Sequence, residues 1–372
     1  MNPFLINNYT SPEYFCDREV ETKSLIENIK NKSNSAFFAQ RRIGKTALIK
    51  HVFYLLQKKN QHTIYLDIYS SQNLKDFTNQ LANSIYNTFP ENKTIGKRFW
   101  EAIKLFRPII SVDEITGNPH LTLDITQTTQ FEKTIPQLLN FLDSQNKNIV
   151  IAIDEFQQIL NYPETNVEAI LRTCIQQLNN VSFIFCGSNQ KMMHQIFNNA
   201  KKPFYSSTKN INLKKIDKVI YAEFIKLQFE KHKFKINDEN IDLILELTDC
   251  HTYYTQRLCH DIFAFGEKKI NNSIIVKTIN NIVSDNESIY YQYRNLITTS
   301  QWNLLKSIAI EKKVEQIYAQ KFIYKYKLGT SANVKRTIEA LMEKEMVYFN
   351  ASIENPFYEI NDKFLMYWLQ NK

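Results

Sequence analysis

The chain has 372 residues, with 43% hydrophobic and 23% charged side chains, which excludes a disordered or fibrous polymer and leaves room for two or three packed domains of ~100 to 200 residues. Forty-six basic against 38 acidic side chains give a formal net charge of +8, a mild excess that permits phosphate or nucleic-acid binding and serves solubility equally well. Five scattered cysteines (Cys16, Cys174, Cys186, Cys250, Cys259) without a C-x-x-C pair, no apolar run near the ~18 residues of a bilayer span, and no secretory stretch in Met1 to Phe15 exclude a disulfide framework and a membrane protein, so a cytoplasmic location is expected.

The first two-thirds alternate short apolar runs with amphipathic stretches, the pattern of an α/β fold in which strands cross through helices into a parallel sheet. Ala36 to Phe38 is the first predicted core strand. A helix follows, with Leu48, Val52, Leu55 and Leu56 on one stripe. Thr63 to Ile68 is the next strand. Alternating Ile110, Val112 and Ile115, a turn at Thr116-Gly117-Asn118-Pro119, then Leu121, Leu123 and Ile125 predict a β-hairpin inserted on the sheet near residues 108–126. Ile149 to Ile153 and Ser182 to Cys186 read as strands buried on both faces. These elements make residues 1–213 one core domain.

From about Lys214 helical spacing takes over, as in Ile241, Ile244, Leu245 and Leu247, and predicts a helical lid over 214–294. Residues 295–372 read as a winged helix. Trp302, Leu305 and Ile308 mark a first helix, Ala319 to Tyr326 a second, Gly329-Thr330 a turn and Ser331 to Glu345 a third. Val347 and Phe349, then Phe357, Tyr358 and Ile360 across Asn355-Pro356, form the wing.

Glycine is scarce, at 6 of 372 residues, so each one asks for a backbone reason. Gly44 lies in Ala39-Gln40-Arg41-Arg42-Ile43-Gly44-Lys45-Thr46, between the first strand and its helix, the context of a Walker A loop. The pattern G-x-x-x-x-G-K-[ST] is met except that Ala39 replaces the first glycine. Backbone N–H groups and the helix N-terminus would receive phosphate oxygens, Lys45 would add a full charge, and the Thr46 hydroxyl would hold Mg2+. ATP and Mg2+ are the expected ligands.

The metal also needs a carboxylate from a neighbouring buried strand, and two Asp-Glu pairs compete. Asp113-Glu114 leads into the Gly117 turn and is better explained as solvated hairpin, whereas Asp154-Glu155 ends the apolar run Ile149 to Ile153 as a Walker B pair does. Asp154 would bind Mg2+ through its water shell and Glu155 would act as general base on water. The run Val181 to Cys186 ends in Gly187-Ser188-Asn189, where Ser188 or Asn189 could sense the γ-phosphate as in additional-strand NTPases. Cys250 and Cys259 do not suggest zinc, because on one helix nine residues turn the chain by ~900° and put them on opposite faces.

Together these residues resemble the archaeal-type ATPase family of the STAND class, relatives of AAA+ ATPases, over most of the chain. The resemblance rests on Phe15-Cys16-Asp17-Arg18-Glu19, with Asp17 where the family has Gly, and on Arg41, Arg42, Gly44, Lys45 and Thr46. It includes Asp154-Glu155-Phe156, Gly187-Ser188 and His251-Thr252-Tyr253-Tyr254-Thr255-Gln256, with Thr252 for the family's Pro. It implies ATP as ligand, Arg18 near the adenine, His251 as a lid contact to the nucleotide, and a C-terminal winged helix. The family tends to place an Arg soon after a Pro-aromatic-Tyr stretch; here Pro203-Phe204-Tyr205 is followed by Ser206, Ser207 and Thr208, so fast or stimulated hydrolysis is not expected.

Lys321, Lys325, Lys327, Lys335 and Arg336 occur with no acid among residues 321–336. Asn333, Lys335 and Arg336 would meet DNA if the third winged-helix helix entered the major groove; a solvated basic face explains the same charges. The leading expectation is a P-loop ATPase acting as a nucleotide-controlled switch with a protein partner, its oligomeric state left open. The alternatives are a winged-helix DNA-binding ATPase similar to origin-binding AAA+ proteins, and a scaffold that binds nucleotide without hydrolysing it.

Overall fold

The computed structural model describes residues 1–7, 9–89, 94–112, 117, 119–124, 128–145, 147–351 and 355–371. They form two compact units, one of residues 9–214 and one of residues 215–372 joined by the N-terminal residues.

In the first unit the elements run α1 (Glu19–Lys30), β1 (Ser35–Ala39), α2 (Lys45–Gln57), β2 (His62–Asp67), α3 (Leu74–Thr88), α4 (Thr94–Ile103), β3 (Pro108–Val112), β4 (Pro119–Leu123), α5 (Thr128–Asp143), β5 (Ile149–Asp154), α6 (Val167–Gln176), β6 (Val181–Phe185), α7 (Gln190–Phe197) and β7 (Lys209–Leu213). Five strands make a parallel sheet in the order β2-β5-β6-β1-β7. The two-residue period of a strand sorts its side chains between two cores. Ala36, Phe38, Ile149, Ile151, Ile153, Phe183 and Phe185 enter the core shared with α3, α5, α6 and α7. Phe37, Ala39, Val150, Ala152, Ile184 and Cys186 enter the other, against Leu25 and Ile29 of α1 and Leu48, Ile49 and Val52 of α2. Burial on both faces is why these strands read as unbroken apolar runs.

One extra strand, β6, separates the strand that feeds the Gly44 loop from the strand that ends at Asp154. This is the additional-strand order. The edge strand β7 was not expected: only Ile211 and Leu213 are buried there, and Lys209, Asn210 and Asn212 face water.

The expected hairpin is present as β3 and β4, with Pro108 opposite Leu123 and Val112 opposite Pro119. It forms a separate two-stranded sheet leaning on α3, where Asn79 and Asn83 accept hydrogen bonds from the Leu123 and Leu121 amides, each at 2.9 Å. Residues 113–116, 118, 125 and 126 of that expectation, including Asp113-Glu114, lie outside the described residues.

The second unit contains α8 (Lys218–Lys231), α9 (Asp238–Thr248), α10 (Thr252–Phe265), α11 (Asn272–Asp285), α12 (Glu287–Leu296), α13 (Thr299–Glu311), α14 (Gln320–Tyr326), α15 (Ser331–Glu343), β8 (Val347–Asn350), β9 (Phe357–Ile360) and α16 (Lys363–Gln370). Helices α13 to α15 with the antiparallel pair β8–β9 are the winged helix. After the wing comes α16, a helix the sequence reading did not anticipate. It buries Phe364, Leu365, Met366, Trp368 and Leu369, with Trp368 5.5 Å from the Tyr290 ring and Phe364 5.1 Å from that of Tyr254 on α10. The N-terminal Phe4 belongs to this unit too, 4.7 Å from the Phe229 ring. Among the described residues no helix is long and apolar enough to cross a membrane.

Candidate functional site

Strand β1 ends at Ala39, and α2 begins at Lys45 with Gly44 as its N-cap at φ 103°, a left-handed conformation that suits glycine. Ile43 is buried and pins the loop to the core, while Arg41 and Arg42 are exposed. Buried Gln40 turns its carbonyl to the Lys45 ammonium, which donates to it at 3.0 Å. Burial pushes that ammonium below the usual lysine range, while Cys186, Asp154 and Glu155 pull it back.

Arg18 braces this loop from behind. Its guanidinium is buried and donates to the Ile43 carbonyl at 3.3 Å, the Lys214 carbonyl at 2.7 Å and the Glu21 carboxylate at 3.2 Å. Asp17 has φ 56°, the region glycine favours and aspartate tolerates, which gives a backbone reason for glycine at the matching family position.

Asp154 closes β5, and four donors from four parts of the chain converge on its carboxylate. Oδ2 accepts from Thr46 Oγ1 at 3.0 Å and from the Tyr65 hydroxyl at 2.5 Å. Oδ1 accepts from Cys186 Sγ at 3.1 Å and from the Glu155 amide at 3.0 Å. Burial, reinforced by the Asp154 charge, pushes the Tyr65 phenol and the Cys186 thiol far above their ordinary values, so both stay protonated and keep donating. Thr46 Oγ1 and Asp154 Oδ2 are a pair of hard oxygens, the donor chemistry that suits Mg2+.

Glu155 follows at φ 55°, and its Oε2 receives the Ser188 hydroxyl at 2.7 Å, the Ser188 amide at 3.3 Å and Gln157 Nε2 at 2.5 Å. Of the two sensor candidates, Ser188 therefore touches Glu155. Asn189 does something else: its side chain caps α7 by accepting the Met192 amide at 3.1 Å. His251 stands in the second unit as the buried N-cap residue of α10, its ring 4.8 Å from that of Tyr254.

Sequence reasoning missed Tyr65, Cys186 and Gln157. Tyr65 reaches Asp154 only because β2 pairs with β5, in a register that sets Tyr65 beside Ala152. No local motif carries that pairing. Cys186 and Gln157 adjoin motifs that were read, but neither residue type announces a role there.

No curated protein matches the sequence. Among solved structures, a Walker-type ATPase of Pyrococcus abyssi is similar over 99% of both chains at 18% identity with a TM-score of 0.68. The Aeropyrum pernix ORC2 protein, solved as ADPNP-ADP complexes, is similar over 100% of this chain and 96% of its own at 15% identity and TM-score 0.60. The Aeropyrum pernix ORC1 protein in complex with DNA is similar over 99% of this chain and 95% of its own at 12% identity and TM-score 0.54. At such identities the likeness is one of fold. A model of a probable winged helix domain matches residues 288–371. Residues 15–258, which hold every site residue discussed above, match the model of an ATPase domain found predominantly in Archaea, and the chain belongs to that family.

Proposed function

We propose that the chain is an ATP-binding, ATP-hydrolysing switch of the STAND kind, in which bound nucleotide sets the lid, residues 214–294, and the winged helix, residues 295–372. One observation carries the reading: the hydrogen bond of 3.0 Å between Thr46 on the helix after the loop and Asp154, 108 residues later. The loop Ala39 to Thr46 and the N-terminus of α2 would offer partial positive charge to the β- and γ-phosphates. Lys45 would exchange the Gln40 carbonyl for a terminal phosphate oxygen, and Arg18 would keep the loop in shape. Thr46 and Asp154 would hold Mg2+, which neutralises charge on the phosphate oxygens.

Glu155 would take a proton from the attacking water, with Ser188 fixing its carboxylate and His251 contacting nucleotide from the lid. Buried free cysteines fit a cytoplasmic location, and a protein partner would read the switch. Lys45→Ala is expected to abolish binding of a fluorescent ATP analogue, while Glu155→Gln keeps binding and loses phosphate release. Equal binding by wild type and Lys45→Ala would defeat the proposal.

A second reading, DNA binding through α15, is favoured by exposed Lys335 and Arg336, which enter no ion pair among the described residues. The ORC1 protein similar in fold was solved with DNA. Duplex affinity that falls with salt and falls again in Lys335→Ala/Arg336→Ala supports it; affinity indifferent to both changes removes it.

A further inference from the structure

Resting on the role of Glu155 proposed above, we propose that Gln157 is a positioning residue that holds the Glu155 carboxylate in the orientation it needs to work on water. Gln157 lies in the 3-10 turn Phe156–Asn161 that follows Glu155 and is only 7% exposed. Its Nε2 donates to Glu155 Oε2 at 2.5 Å and approaches Ser188 Oγ at 3.5 Å. The other end of the amide, Oε1, is buried with no hydrogen-bond partner. Burying an amide oxygen without a partner is costly, so a side chain kept at this place for packing alone would be apolar. The one strong bond Gln157 makes is to the carboxylate.

The turn around it is packed into the core, with Phe156 and Ile159 buried. The Phe156 amide donates to the Cys186 carbonyl at 2.8 Å, and the Phe156 ring sits 4.5 Å from Phe185 and 5.4 Å from Phe204. Three donors therefore fall on Oε2, two from Ser188 and one from Gln157, and Oε1 of Glu155 accepts none among the described residues. One oxygen is fixed by the protein and the other is left to accept from water.

Gly187 makes the space. A Cβ there would lie 2.0 Å from Gln157 Oε1 and 2.8 Å from Met193 Sδ. The Gly187 backbone is not left-handed, so alanine at this place meets the amide rather than a conformational penalty.

Gln157→Ala is expected to lower kcat for ATP hydrolysis about tenfold or more, since a hydrogen bond to a carboxylate is at stake, with binding of a fluorescent ATP analogue unchanged. Gly187→Ala should do the same by displacing the amide. Gln157→Ala/Gly187→Ala should turn over no more slowly than Gln157→Ala alone. Wild-type turnover in Gln157→Ala beside an inactive Glu155→Gln overturns this inference and leaves the reading of Glu155 standing. A loss of ATP affinity equal to the loss of kcat, or losses that multiply in the double variant, also overturns it. Turnover by Glu155→Gln at the wild-type rate, or none by wild type, brings down the reading of Glu155 and this inference together.

Discussion

Lys363→Met is the sharpest test of how the second unit is held together. Lys363, the first residue of α16, and Glu359 in β9 are each 1% exposed and four residues apart in the chain, Nζ to Oε2 2.8 Å. Lys363 also reaches Asp249 at 3.1 Å, and Lys215 closes the ring at 2.6 Å from Asp249 and 3.1 Å from Glu359. The ring ties the segment after α9 to the wing and α16. Methionine keeps most of the lysine's apolar stem and removes its charge, so Glu359 loses this ion pair and keeps the one with Lys215.

Removing one partner of a buried pair costs about 3 to 5 kcal/mol, and the surviving Lys215 contact points to the lower end, about 3 kcal/mol. With a urea slope of about 2 kcal/mol per molar, the unfolding midpoint of this unit should fall by about 1.5 M. Urea titration of the full chain, followed through Trp302 and Trp368 with Trp100 of the other unit changed to Phe, reads that transition. Lys218→Met, which breaks an exposed pair with Asp242 at 2.7 Å, should leave the midpoint in place. Adding Glu359→Leu to Lys363→Met should restore part of the loss, because the buried carboxylate that lost its Lys363 partner is then removed as well. A midpoint for Lys363→Met equal to that of Lys218→Met would refute the reasoning.

The same ring sets an acid limit. Burial alone would raise the Asp249 carboxyl, but the Lys363 and Lys215 ammonium groups outweigh it and hold the group well below the usual carboxylate range. A depressed acid contributes stability that is complete above its unfolded pKa of about 3.9 and is lost as pH falls below that value toward the folded one. Thermal melts from pH 7 down to pH 3 should therefore steepen below about pH 4 in wild type and less so in Lys363→Met. In the first unit, Tyr65→Phe removes one donor from Asp154, and a hydrogen bond to a charged group, worth about 1.5 kcal/mol, predicts a melting temperature lower by about 4 °C. No change in the melt would mean that water replaces the phenol.

The sheet strands and the loop before α2 were legible because their signals are local. A strand buried on both faces must be apolar throughout, as Ile149 to Ile153 are, and a backbone turn into a helix at φ 103° asks for Gly44. The winged helix was legible for the same reason, through turn chemistry at Gly329-Thr330 and alternation in the wing. Strand β7 escaped notice because an edge strand with one wet face needs only two apolar residues, and α16 because apolar residues all round a short helix look like any core segment.

What the amino-acid order settles by itself is chemistry carried by neighbours along the chain: a glycine-lysine-threonine at a helix start, two acids at a strand end, a serine after a glycine. Which of these meet is decided by strand order and register, and therefore by which faces bury the most apolar surface together. Tyr65 beside Asp154, Gln157 over bare Gly187 and Phe4 among the helices of the far end of the chain are contacts of that second kind. They cost the chain long loop closures that no short stretch of sequence can signal, and the packed core repays that entropy only when the whole unit is assembled.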